Sequence, residues 1–256
     1  MKFNSPESRR TYSDRHVNSS WLDWCCDTLS PENRDVVDLG CGGGIYSRGF
    51  ISLGARTVTG IDSSLQYLEE AQLASPAEAN LSFVLGYATK TGLSNSCADI
   101  VFQRALIHHL DCNEQLAGAL EMHCLLRPEG TCAVLNRTFE DVKSTHPDFW
   151  IRAALFETFP QLFEFERNRR PTAEGYVKRL KKGGFRNVQV SNYAETRRSY
   201  SSYRELEEEI MARKGKSILF ELSDSELRVY CKRLESKAAR NPLREKDQWS
   251  VWLASN

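Results

Sequence analysis

Two carboxylates and three spaced glycines carry the clearest chemistry in this chain. Val37-Asp38-Leu39-Gly40-Cys41-Gly42-Gly43-Gly44 lies between an apolar run and a stretch with helical spacing. Glycine there lets the chain turn sharply and lets a ligand approach the backbone without a Cβ in the way. The start of the following helix adds amide N–H groups. Asp62 closes the next apolar run, about 20 residues on, where a carboxylate can accept hydrogen bonds from ribose hydroxyls. A dinucleotide loop would follow GxGxxG, yet Ile45 stands where its third glycine belongs, and the glycines run GxGxG instead. Asp38, just before the loop, would repel a pyrophosphate and attract a sulfonium or ammonium group. The ligand these residues suit is a nucleoside that carries a cation.

Other candidates are weaker. His108-His109 follows a fourth apolar run, and His109 could serve as a general base, although packing and loop support explain such a pair more simply. Tyr12, Arg15 and His16 precede Trp21 and Trp24 in an N-terminal segment that could fold over a ligand. His146 opens an aromatic stretch with Phe149 and Trp150, a place to build an acceptor pocket, though aromatics at helical spacing are more often core. The basic runs Arg167-Asn168-Arg169-Arg170, Arg197-Arg198 and 178–182 read as solvated surface.

The elements that must position these residues alternate strand and helix. Strands are expected at 34–39, 56–61, 81–85, 98–102 and 131–135, with helices at 44–53 and 64–74. Another helix is capped by Asp111 with Glu114 and stopped by Pro128-Glu129-Gly130. Residues 139–170 read as helices covering the sheet. Thr172 caps a short helix ending at Gly183-Gly184, and a sixth strand follows over 185–193. Helices at 203–214 and 224–238, the second with a Ser223–Glu226 capping box, lead to an alternating strand at 248–253. The expected fold is α/β: a Rossmann-like, seven-stranded, mostly parallel sheet with helices on both faces. One domain spans 1–256: an N-terminal helical lid (1–30), a cofactor-binding half (31–136), a helical insert (137–185) and C-terminal strands and helices (186–256).

Bulk composition narrows the class. Lys+Arg and Asp+Glu both number 34, and zero net charge argues against a dedicated binder of long nucleic acid or anionic membrane. No stretch approaches the roughly 20 apolar residues of a membrane span, and the N-terminus shows no secretory h-region. The eight cysteines form no CxxC pair, so a zinc ribbon is excluded, no metal is expected, and reduced thiols in a cytoplasmic protein are the natural reading.

Taken together and in order, VVDLGCGGG (36–44), GIDSS (60–64), ADIVFQRALIHHL (98–110) and LLRPEGTCAV (125–134) resemble the class I methyltransferases, especially the methyltransferase domain 11 group. The resemblance covers roughly residues 35–136 and implies S-adenosyl-L-methionine as cofactor. By it, Asp38, Gly40, Cys41, Gly42 and Gly44 hold the methionine part and Asp62 the ribose. Ser63, Leu65, Gly86, Tyr87 and Ala88 lie near the adenine, and Gln103 and Arg104 end the fourth strand, where the family places cofactor-contacting backbone, with Gln103 a cofactor contact, and the floor of the acceptor site. Tyr87 departs from the family, which often has Asp there. A lid tyrosine, here Tyr12, often borders the sulfonium, and Tyr12, His109 and His146 are the candidate catalytic residues. The expected activity is methyl transfer to a small-molecule acceptor by in-line displacement, with a homodimer left open. A tRNA wobble-uridine methyltransferase is the alternative suggested by the IHHL segment, although Asp111-Cys112-Asn113-Glu114 follows it where relatives carry arginines. A non-catalytic S-adenosylmethionine-binding protein is the third reading, and an NAD-dependent dehydrogenase is disfavoured by Ile45 and Asp38.

Overall fold

The computed structural model describes residues 17–75, 80–144 and 146–255. Tyr12, Arg15 and His16 lie outside them. Seven strands form one sheet in the order β3-β2-β1-β4-β5-β7-β6. They are β1 (Asp35–Leu39), β2 (Thr57–Asp62), β3 (Leu81–Leu85), β4 (Ala98–Arg104), β5 (Leu126–Asn136), β6 (Asn187–Ser199) and β7 (Arg244–Ser255). The first five are parallel, and β7 runs antiparallel to both β5 and β6. Strand order reverses between β1 and β4, so ligands are expected beyond the carboxyl ends of those strands.

Neighbouring strand residues bury on opposite faces. Val37, Leu39, Val101, Cys132 and Val134 pack with α4 (Cys112–Leu125) and α8 (Ala173–Lys182) in one core. Val36, Ile100, Phe102, Ala133 and Leu135 pack on the other side with α1 (Ser19–Leu29) and α2 (Ile45–Ser52). That double burial is why these strands read as continuous apolar runs. The remaining early helix, α3 (Leu65–Ala74), follows β2.

A third core lies in the helices outside the sheet. The insert helices α5 (Phe139–Lys143), α6 (Trp150–Thr158) and α7 (Leu162–Arg169) share it with α9 (Tyr203–Met211) and α10 (Asp224–Ala238). The cover therefore comes from two chain segments, and α8, expected within the insert, belongs to the sheet's own helical layer. The described part of the expected N-terminal lid is likewise a core helix: Trp21 is fully buried, edge-on to Phe50 and Phe102. Three strands are longer than their apolar runs. β5 starts at Leu126 because Leu126 pairs with Ala98, and a bulge then carries Pro128 before pairing resumes at Thr131. β6 and β7 extend as a polar antiparallel arm in which Glu195, Glu245 and Asp247 are buried.

Candidate active site

The glycine loop is held by its own amides. Gly40 and Cys41 donate to the Ile61 carbonyl at 2.7 and 2.9 Å, and Gly44 donates to the Cys41 carbonyl. Gly40, Gly42 and Gly44 all have positive φ, at 79°, 52° and 73°. A Cβ on Gly40 would meet Leu106 at 2.8 Å, and one on Gly44 would meet the Phe83 ring at 2.7 Å. Gly42 differs: a Cβ there would meet no atom of the described residues within 4 Å. Cys41 turns its buried thiol into the core, where burial pushes its pKa up.

Asp62 ties loop to strand. Its two carboxylate oxygens accept the Gly42 and Ser64 amides, each at 2.9 Å. Asp38, almost fully buried, accepts from Ser47 Oγ at 2.6 Å. Burial pushes the Asp38 carboxyl up to about 7 despite the Ser47 bond, and the Asp62 carboxylate adds to the rise. Burial also raises Asp62, against its backbone hydrogen bonds. Among the described residues no cation pairs with either acid. Adjacent strands thus bring two poorly compensated carboxylates to one loop.

Exposed apolar groups flank this pair. Leu65, just past Asp62 and Ser63, is 59% exposed and Tyr87 is 65% exposed, on a turn closed by bonds between Tyr87 and Lys90. Gly86 donates its amide to the Asp62 carbonyl, and a Cβ there would strike the Thr91 carbonyl at 2.8 Å. Ala88 packs against the sheet's core instead. Gln103 is buried with its side chain bonded to the Tyr176 hydroxyl at 3.4 Å, so only its backbone faces the strand's end.

The histidines separate. His108 is buried and bonded through Nδ1 to Asn136 at 2.8 Å. His109 lies over it with ring centroids 4.0 Å apart. Burial, reinforced by the Arg169 and Arg170 charges, brings His109 down to about 4, so it is neutral at pH 7. His146 is exposed and caps a short turn through Asp148. It lines an open cleft of about 790 Å³ with Thr138, Asn192 and Ser250, which includes neither the glycine loop nor His109. Phe149, Trp150, Phe156 and Phe159 are buried, as aromatics at helical spacing usually are.

Several polar residues take places that the sequence reading did not give them. Ser47 is visible only once α2 turns it toward Asp38. Arg104 is buried in an ion pair with Glu195, between the rings of Tyr46 and Trp249. Arg170, expected on the surface, is buried, and Arg169 and Arg197 are largely covered, in ion pairs with Glu166, Glu209 and Glu245. The acids of Arg197 lie on other elements, and although Glu166 stands one helical turn from Arg169 and Arg170, that spacing does not announce that the pairs turn inward.

Residues 36–130 match a family model described as a methyltransferase domain. That stretch of the chain is similar to a methyltransferase domain. A ribosomal protein L11 methyltransferase of Shewanella halifaxensis is 29% identical over 143 residues, 51% of this chain and 47% of its own length. A ubiquinone biosynthesis O-methyltransferase of Bartonella tribocorum is 32% identical over 114 residues, 43% of this chain and 44% of its own. The chain thus spans about half the length of the curated relatives it matches. The methyltransferase fold extends further than the sequence match. A protein of Anabaena variabilis described as a methyltransferase from an antibiotic biosynthesis pathway covers 95% of this chain and all of its own, with TM-score 0.74 and 16% identity. Phosphoethanolamine N-methyltransferase 2 of Haemonchus contortus, in complex with phosphomonomethylethanolamine and S-adenosylhomocysteine, covers 93% of this chain and 53% of its own (TM-score 0.60, 17% identity).

Proposed function

We propose that the chain is an S-adenosylmethionine-dependent methyltransferase acting on a small molecule. The observation that carries this reading is the pair Asp38 and Asp62, two carboxylates with no cation among the described residues, at the open side of Gly42. A ligand that is cationic at one end and bears ribose hydroxyls at the other suits both. Asp38 and the glycine loop would hold the methionine part and Asp62 the ribose. Leu65 and Tyr87 would flank the adenine, with Ser63, Gly86 and Ala88 shaping that end through the backbone. When bound, this cofactor supplies a methyl group already activated for displacement.

The protein's own work is then alignment and exclusion of water. His109 is in the neutral state that a proton acceptor needs, and its low basicity suits an acceptor that itself gives up a proton readily. His146, in a separate open cleft, is a weaker candidate. α5 to α7 follow the carboxyl end of β5, a position from which they would narrow the approach and favour a small acceptor over a folded one. A protein acceptor is the second reading, favoured by the L11 methyltransferases among the relatives. Among the described residues, no helix is long and apolar enough to cross a membrane.

Asp62→Ala tests the assignment. Calorimetry with S-adenosylhomocysteine should show affinity at least about tenfold lower than the parent, because the ribose loses charge-assisted bonds. Unchanged affinity would overturn the role given to Asp62.

A further inference from the structure

Beneath the helical cover, where β5 ends, lies a small cavity of about 40 Å³. Its wall carries Arg137, Arg152, Arg169, Arg170 and Lys216, against the carboxylates of Glu166 and Glu245. Those acids are already shared. Glu166 takes both Arg169 and Arg170, and Asp247 takes both Arg137 and Arg152. Glu245 and Glu209 take Arg197 and Lys216 between them. Among the described residues six cations, Arg170 buried and the other five largely covered, therefore face these four carboxylates. The Nε atoms of Arg137 and Arg169 are also buried without a hydrogen-bond acceptor. Burial brings Arg170 down to about 9 and Arg137 to about 10, so both remain charged at pH 7.

Water can satisfy the donors but not the excess charge, and a buried excess of like charge is unfavourable unless an ion of opposite sign completes it. The cavity also adjoins the place where methyl transfer would occur. His108 is bonded to Asn136, Asn136 donates to the Arg137 carbonyl at 2.9 Å, and Arg170 donates to that same carbonyl at 3.0 Å. On the other side Trp249 lies between Arg137 and Arg104, linking the cavity to the end of β4.

We infer that the methyl acceptor carries an oxyanion, a phosphate or a carboxylate, held in this cavity by Arg152, Arg169 and Lys216. This inference rests on the methyltransferase reading for its acceptor, but the anion site itself stands on the cavity alone. The volume exceeds the roughly 10–15 Å³ needed by one water, which suits one anionic group with the rest of the acceptor outside. Arginine forks recognise such groups through paired N–H donors, and Lys216 adds a point charge.

Thermal-shift and calorimetric titrations of the full chain with inorganic phosphate, acetate and chloride, at fixed ionic strength and with S-adenosylhomocysteine present, test it. Phosphate or acetate should stabilise the chain saturably where chloride does not. Preference for phosphate would indicate a phosphate ester, and preference for acetate a carboxylate. Arg169→Gln should weaken the favoured anion about tenfold or more, while S-adenosylhomocysteine affinity changes by less than about twofold because the sites are separate. Should that variant fail to fold, Lys216→Met carries the same expectation. Equal response to all three anions, or a folded variant with parent-like anion binding, would overturn the inference. S-adenosylhomocysteine binding without an anion effect would sink the anion site alone. Absence of S-adenosylhomocysteine binding would sink the methyltransferase reading whatever phosphate does.

Discussion

Asp38 shows how burial can make one carboxyl report on its ligand. Its folded pKa, about 7, lies above the ordinary 3.8, so its contribution to folding is fully present below 3.8 and is lost as pH rises through 7. A cationic ligand prefers the ionised form, so its binding should release a proton. The dissociation constant for S-adenosylhomocysteine should therefore fall by up to about tenfold per pH unit below 7 and level off above it. Asp38→Asn should bind more weakly, with a flat profile. A parent affinity that ignores pH, or an unchanged Asp38→Asn, would contradict this role. Asp38 and Asp62 were legible from sequence because each stands at the end of an apolar strand beside a marked loop. Arg169 and Arg170 were not, because Glu166 sits within a charged run and only the packing of α7 shows that they turn inward.

At the scale of elements, the loop between β1 and α2 separates two uses of glycine. Gly44 and Gly40 make room for Phe83 and Leu106, whereas Gly42 leaves room for nothing in the described chain. Gly44→Ala should cost about 1–3 kcal/mol from strained φ and overpacking, read as a lower Tm. Gly42→Ala should cost only about 1 kcal/mol of backbone strain, yet impair S-adenosylhomocysteine binding more than its stability loss explains. Parent-like affinity in Gly42→Ala would place the ligand elsewhere. Element types were readable because the parallel strands bury both faces and the helices carry recognisable caps, such as Asp111 with Glu114 and Ser223 with Glu226. The lengths of β6 and β7 were not, because alternating charges along a strand look solvated until Glu245 and Asp247 are seen to face Arg197 and Arg137.

Across the whole molecule, one sheet serves two regions. Its β1–β2 half presents the carboxylates and the glycine loop, while its β5–β7 half supports a helical cover with a cationic interior. The half proposed for the cofactor was readable because its motifs are contiguous in sequence. The half proposed for the acceptor was not, since 139–169 and 203–238 form a single core only after the chain crosses the sheet and returns. The most direct measurement is calorimetric titration of the full chain with S-adenosylhomocysteine and, separately, with NAD. Stoichiometric binding of S-adenosylhomocysteine without binding of NAD is the expected result. Binding of NAD alone, or of neither, would contradict the assignment of this loop to a sulfonium-bearing nucleoside.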